Sequence, residues 1–398
     1  MLGGRRLVSA ALAAVAAALV SAAGCYGSGA DAALRAEPPI AGYAAEIPYV
    51  REEWLLVDVA VAGARGRFIV DTGSGVTVVD PSLIAGLGLE PAGVVSVRDF
   101  EGRRQAHDVF VAPQLELGGL VYRDVGVVAV DLGLFDDLAC VPIAGILGQN
   151  VLAQGVFELD PAAGVIRLAE GAELLEARAG GRVVPLVPPA AAAGVASPVR
   201  TLIPRPFTLD TGSSGSITVD RRTLRGLAIG RRATVRGLTR SGLGGVSEGR
   251  VTYFTWPQRQ LAGLDVAGVA AAGGVGSNTI GLGVLLAYVL RLDVRAGQAT
   301  LWPLRPLGSV GAGFGLGLHF DGEAVRVASL VDGGPAAEAG VRVGDRLARI
   351  GERPVVDMTK EDRCRLARDF GGDAAVELEL VGASGPYTAS LRRAEVLE

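Results

Sequence analysis

Two short stretches of this chain place acid–base groups in matching surroundings. RFIVDTGSGVTVVD (residues 67–80) and PFTLDTGSSGSITVD (206–220) each run an apolar segment into Asp-Thr-Gly-Ser, then into β-branched residues ending on Asp. One Asp-Thr-Gly after a strand is ordinarily a turn in which the aspartate bonds its own backbone. Two are a possible mechanism. Carboxylates brought within hydrogen-bond distance cannot both ionise, so they share one proton. The ionised member takes a proton from water while its partner donates one to a carbonyl. Gly73 and Gly212 let each loop turn tightly and approach the other.

The elements that would position this pair are themselves repeated. ILGQNVLAQGVFELDPAAGVIRL (146–168) aligns with TIGLGVLLAYVLRLDVRAGQATL (279–301) at a constant offset of 133, matching Gly148 with Gly281 and Leu159-Asp160 with Leu292-Asp293. From Asp71 to Gly148 is 77 residues and from Asp210 to Gly281 is 71, so the units agree in length within a loop. This is a duplicated domain. Both units read as mostly β. LLVDVAVAG (55–63) alternates and ends on Gly, which predicts a hairpin into the first Asp-Thr-Gly. Residues 94–113 and 234–254 predict a second hairpin in each unit, and a Pro/Ala-rich linker lies around 187–198. The units span about 46–170 and 182–304.

Asp71-Thr72-Gly73-Ser74, Asp210-Thr211-Gly212-Ser213 and the later Ile146-Leu147-Gly148 and Thr279-Ile280-Gly281 give the chain, over 46–304, a resemblance to the retropepsin-like aspartic proteases. The resemblance implies two tandem acid-protease lobes forming a pseudo-dimer, with Asp71 and Asp210 catalytic at the lobe interface. It gives Thr72, Gly73, Ser74, Thr211, Gly212 and Ser213 the support of the active-site loops, the threonine hydroxyls locking one loop to the other. It implies a monomer, no metal and no organic cofactor. The Ser74 and Ser213 hydroxyls are expected to hydrogen-bond the neighbouring carboxylates and draw activity towards acid pH. Gln149-Asn150 and Leu282-Gly283 depart from the family pattern, which has a charged pair after the glycine, and Thr279 is less apolar than usual. The substrate would be an extended peptide. Hairpins around 96–108 and 237–249 are the flap candidates, with ordinary surface hairpins as the other reading.

From Gly308 the texture changes. GFGLGLHF (313–320) and VRVASLVDGGPAAEAGVRVGDRLARIGERPV (325–355) resemble a bacterial PDZ domain over about 308–396. That resemblance implies that Gly315, Leu316, Gly317 and Leu318 hold a peptide's terminal carboxylate on backbone N–H groups. MTKEDRCRLARDF (358–370) would be the helix beside the groove. Together these readings describe an exported aspartic endopeptidase with a PDZ module for a peptide or protein partner. The alternative is a catalytically inactive envelope lipoprotein that binds peptides through its PDZ domain.

MLGGRRLVSAALAAVAAALVSAAGC (1–25) reads as an export signal: a basic start, an apolar stretch, and small residues before Cys25. Ser-Ala-Ala-Gly-Cys resembles the lipobox of bacterial lipoproteins, which implies a lipid on Cys25, a membrane partner, and a periplasmic or cell-surface location. Ala22 stands where Leu is commonest, so ordinary cleavage near Ala23 stays open. With a net charge of −4 and no basic cluster, nothing suggests a nucleic-acid face. The only histidines, His107 and His319, read as surface or loop residues and give no zinc site. Cys140 and Cys364 are one possible pair in different domains, not a disulfide framework. Glu52-Glu53 and Asp136-Asp137 read as solvated charges on strands, where neighbours point to opposite faces.

Overall fold

The computed structural model describes residues 33–98, 104–187, 200–201, 206–242, 245–308, 312–371 and 374–397. The export signal with Cys25, the hairpin tips at 99–103 and 243–244, and linker residues 188–198 lie outside the described residues.

The first unit runs β1 (Ala44–Pro48), β2 (Val50–Arg51), β3 (Leu55–Val61), β4 (Ala64–Val70), β5 (Thr77–Val79), α1 (Pro81–Ile84), β6 (Pro91–Arg98) and β7 (Arg104–Leu117). It continues through β8 (Leu120–Ala129), α2 (Gly133–Ala139), β9 (Gly145–Leu147), α3 (Gln149–Leu152), β10 (Val156–Asp160) and β11 (Val165–Ala169). The β3–β4 hairpin turns on Ala62 and Gly63, both at positive φ (47° and 90°), a tight connection whose twist suits the strands. Asp80, the last residue of the repeated motif, caps α1 by accepting the Ser82 N–H at 2.9 Å, with Pro81 in the first turn.

The second unit runs β12 (Arg182–Pro185), β13 (Thr208–Leu209), β14 (Ile217–Val219), α4 (Arg221–Arg225), β15 (Arg232–Gly242) and β16 (Gly245–Thr255). Then come β17 (Gln260–Leu261), β18 (Leu264–Asp265), β19 (Ala270–Gly273), β20 (Thr279–Ile280), α5 (Leu282–Leu285), β21 (Tyr288–Asp293) and β22 (Gln298–Pro303). Asp220 repeats the capping role on α4 by accepting the Thr223 N–H.

The sheets show how alike the units are. Unit one contains the order β4-β9-β5-β8-β7-β6 and unit two the order β13-β20-β14-β19-β16-β15, with the same parallel and antiparallel senses around the Asp-Thr-Gly strand. In unit one β3 also pairs β7 and closes a barrel. A six-stranded antiparallel sheet, β1-β11-β10-β21-β22-β12, takes three strands from each unit. At its seam Glu158 on β10 faces Arg291 on β21. Glu158 is fully buried, and its carboxylate takes Arg291 Nε at 2.8 Å and Arg167 Nη1 at 2.9 Å.

The C-terminal domain runs β23 (Ala312–Gly313), β24 (Leu316–Phe320), β25 (Val325–Val331), α6 (Pro335–Glu338), β26 (Arg346–Ile350), β27 (Arg353–Pro354), α7 (Lys360–Asp369), β28 (Ala375–Gly382), β29 (Gly385–Arg392) and β30 (Ala394–Glu395). Its own apolar core includes Phe314, Leu316, Leu318, Leu330, Leu378 and Leu380. Its attachments to the rest include a shared sheet and a disulfide. Strand β25 pairs with β15 at Val235–Val331, Arg236–Leu330 and Gly237–Ser329, making one continuous sheet with unit two. A disulfide joins Cys140, at the end of α2 in unit one, to Cys364 on α7.

Three sequence expectations are corrected here. Asp136 and Asp137 lie on helix α2, not on a strand: Asp136 accepts the Ile143 N–H at 2.7 Å, and Asp137 sits 4.0 Å from Lys360 Nζ. Glu52 and Glu53 are half-buried, and Glu52 pairs with Arg368 of α7 at 2.6 Å. His107 and His319 lie half-buried on β7 and β24, and burial lowers the pKa of each.

Candidate active site

The apolar strand before each aspartate is buried, so each chain enters its loop anchored on the core. The Asp71 N–H donates to Leu147 O at 3.0 Å and the Asp210 N–H to Ile280 O at 2.9 Å, which docks each loop on the apolar-Gly segment of its own unit. Gly148 and Gly281 have no room for a side chain. A β-carbon there would meet Val76 O at 2.2 Å and Gly215 O at 2.4 Å.

The loops then lock onto each other. Thr72 Oγ1 donates to Leu209 O at 2.6 Å and accepts the Thr211 N–H at 3.1 Å; Thr211 Oγ1 donates to Val70 O at 2.7 Å and accepts the Thr72 N–H at 3.0 Å. Each buried hydroxyl thus donates once and accepts once across the unit boundary, so neither threonine leaves an orphaned polar group. Gly73 and Gly212 complete the approach. A β-carbon on Gly73 would lie 2.5 Å from Asp210 Cγ, and one on Gly212 2.3 Å from Asp71 Cγ.

The two carboxyl groups meet in this lock, hydrogen-bonded to each other and almost fully buried. Asp71 Oδ1 accepts the N–H groups of Gly73 (2.7 Å) and Ser74 (3.0 Å), and its carboxylate also receives the Gly212 N–H. Burial pushes the Asp71 pKa up to about 6, against the pull of these donors and of Asp210. Asp210 is pushed well above the usual carboxylate range by burial, by the facing Asp71 charge and by their shared hydrogen bond. Facing each other in this way, the two carboxyls share a single proton as a pair. Asp210 Oδ1 is buried and has no hydrogen-bond partner among the described residues.

The serine expectation is overturned in its detail. The Ser74 hydroxyl donates to Val76 O at 2.7 Å, and it is the Ser74 backbone N–H that reaches Asp71. The donors that favour the charged carboxylate are main-chain groups, and burial outweighs them.

Two supports went unread in the sequence. Gln149 Nε2 donates to Thr72 O at 3.1 Å, while Asn150 accepts the Thr77 N–H at 2.8 Å and donates to Gly126 O at 2.8 Å. These amides stand where the family has a charged pair, and they brace the Asp71 loop from below. Unit two has Leu282 and Gly283 at those positions and braces its loop with main-chain bonds, Leu282 N–H to Ser213 O and Gly283 N–H to Gly215 O. The second support is Glu53. Burial raises its pKa, against a hydrogen bond from Ser214 and the positive charges of Arg51 and Arg368. A unit-one carboxyl thus holds the residue just beyond the Asp210 turn, a contact for which adjacent acids in the sequence give no signal.

The C-terminal residues Gly315, Leu316, Gly317 and Leu318 are all buried. Gly315 has φ +72° and lies against Pro335, and Leu316 and Leu318 pack with Cys364 and Ala367 of α7 in the domain core. Among the described residues β24 pairs only with β25, and α7 packs along it. No group of histidine, cysteine and acidic residues able to hold a metal occurs among the described residues. No described helix is long and apolar enough to cross a membrane.

Residues 57–151 match the family model described as aspartyl protease, and residues 326–380 match the model described as PDZ domain. No curated protein matches the chain.

Proposed function

We propose that this chain is an aspartic endopeptidase whose site is shared by its two units, and that its PDZ domain binds the C-terminus of a peptide or protein. The interlocked pair of Asp71 and Asp210 carries the reading. The Asp71 carboxylate takes a proton from a water held between the two groups, and Asp210 donates its proton to the scissile carbonyl oxygen. The water attacks the carbonyl carbon; the tetrahedral intermediate then collapses as Asp71 gives its proton to the leaving nitrogen and Asp210 takes one back from a hydroxyl, releasing amine and carboxylic acid and restoring the pair. Thr72 and Thr211 hold the carboxyls in register, which makes them positioning residues. An extended peptide would lie under the hairpins β6–β7 and β15–β16.

Export with a lipid on Cys25 belongs to the same proposal. The Cys140–Cys364 bond supports it, because disulfides persist in oxidising compartments such as the bacterial envelope.

The test is cleavage of a mixed peptide library between about pH 3 and 9, a span that brackets normal and raised carboxyl pKa values. Activity should rise through the Asp71 pKa of about 6 as the base ionises, and fall once Asp210 loses its proton. Asp71→Asn and Asp210→Asn should each lose about 10,000-fold in kcat, because each removes one partner of a concerted proton transfer. Retained cleavage in either variant would remove the shared-aspartate mechanism.

A further inference from the structure

The cleft between β24 and α7 is where a PDZ ligand would add as a strand, yet another part of the chain already lies against it. Helix α2 of unit one packs on both walls, β24 and α7. At its end Cys140 packs on the C-terminal core and is bonded to Cys364, on the stretch of α7 that faces Leu316 and Leu318. Arg368 Nη1 donates to Ala139 O at 3.3 Å, Lys360 Nζ stands 4.0 Å from Asp137, and the half-buried His319 on β24 lies in the field of the same aspartate. Helix α2 therefore meets α7 from Lys360 to Arg368, nearly its whole length. An added strand runs about 4.8 Å from its neighbour, and α2 packs beside both β24 and α7, the two walls between which such a strand would lie.

We propose that α2 is an internal plug for the PDZ groove, and that the Cys140–Cys364 disulfide makes its removal redox-dependent. In the oxidised chain the plug is tethered at the site it blocks, so an incoming C-terminus competes with a covalently held occupant. A dithiol reductant opens it: two electrons and two protons pass to the bridge, giving the Cys140 and Cys364 thiols, and the reductant closes its own disulfide. Of the remaining polar contacts the Lys360–Asp137 pair is exposed and of small net worth, whereas the Arg368 bonds to Glu52 and to Ala139 O are mostly buried and must also be broken for a peptide to enter. The admitted strand would extend the sheet that continues through β25 into the β15–β16 hairpin of unit two.

This inference rests on the peptide-binding reading of the PDZ domain, and its test separates the two. The full chain, as Asp71→Asn so that no probe is cut, is titrated with a pool of short fluorescent peptides randomised at their C-terminal residues. A pool with amidated C-termini serves as control. Anisotropy is read for the oxidised chain, for the chain reduced with dithiothreitol, and for Cys140→Ser/Cys364→Ser without reductant. The expected result is binding at least about tenfold tighter in the two open forms than in the oxidised chain, for free carboxylates only. Amide exchange at Leu316–Phe320 and at α2 should rise on reduction while β10 and β21 stay protected, which keeps the reduced wild type decisive even if the double variant folds poorly. Equal binding by oxidised and reduced chains overturns the plug and leaves the peptide-binding reading intact. Silence from every form overturns both.

Discussion

The two units share a strand order and an Asp-Thr-Gly lock, yet they hold their long hairpins differently. In unit one, β6 ends its sheet. In unit two, β15 is paired along its outer edge by β25 of the PDZ domain, and Arg236 and Arg250 both bridge to Asp332 next to that strand. The connection before the apolar-Gly segment differs as well. Residues 130–144 of unit one carry α2, whereas residues 274–278 make the same link in unit two without a helix. A duplication thus kept its interlocked Asp-Thr-Gly floor and let its rim diverge. The lesson is that symmetry survives where two copies must touch and is lost where a third domain attaches.

That contrast can be broken at one residue. Gly237 has φ +111°, and a β-carbon there would stand 2.2 Å from Ala328 O. Gly237→Val should cost about 3 kcal/mol through backbone strain and a clash at the β15–β25 seam. It should also raise amide exchange at β15 without changing exchange at β6. A variant as stable as wild type, with the seam still protected, would mean that this pairing does not restrain the hairpin.

The aspartates offer a subtler asymmetry. Burial pushes both carboxyls above their usual range, and at Asp210 the facing Asp71 charge adds to it. Both groups have folded pKa values above their unfolded ones. The stability they lend is therefore full below about pH 4, the unfolded carboxyl range, and is lost as pH rises through the folded values. Asp210→Asn should then be more stable than wild type at pH 8 by about 1–2 kcal/mol and nearly equal to it at pH 4, with a smaller gain for Asp71→Asn. Chemical denaturation at the two pH values checks the sign, and a loss of stability in Asp210→Asn at pH 8 would contradict it.

The smallest effect copies unit two onto unit one. Gln149→Leu puts the residue of the matching position, Leu282, beneath the Asp71 loop and removes the bond to Thr72 O. It should cost about 1 kcal/mol and lower kcat a fewfold with little change in KM. No change in kcat would show that main-chain bonds suffice in both units.

How far the sequence foretold this depends on where each contact lies. The Asp-Thr-Gly turns and the apolar-Gly segments were legible because each works through residues close in the chain, or through its own repeat; that Asp80 and Asp220, which close the repeated motif, cap helices was not read. The glycine at the start of β24 and the helix α7 were legible for the same reason. The α2 plug was not, since nothing in LGLFDDLAC marks a docking surface and its partner lies 224 residues away. Gln149 was read as a departure because its value lies in a carbonyl across a fold, not in its own type. Glu53 looked solvated because burial is a property of the assembled units, and Ser74 misled because a hydroxyl near a carboxylate can turn to a closer carbonyl.

The seam between the units has a consequence of its own. Glu158 and Arg291 occupy matching positions of the repeat, 133 residues apart, and face each other across the approximate two-fold axis. A seam between two copies of unit one would bring Glu158 against Glu158, and one between two copies of unit two Arg291 against Arg291. Glu158 would keep Arg167 of its own unit but meet a second buried carboxylate, and Arg291 would trade Glu158 for a second guanidinium, so either seam would be weaker than the mixed one. The duplicated halves have become complementary instead of interchangeable, so each half selects its opposite and rejects its twin.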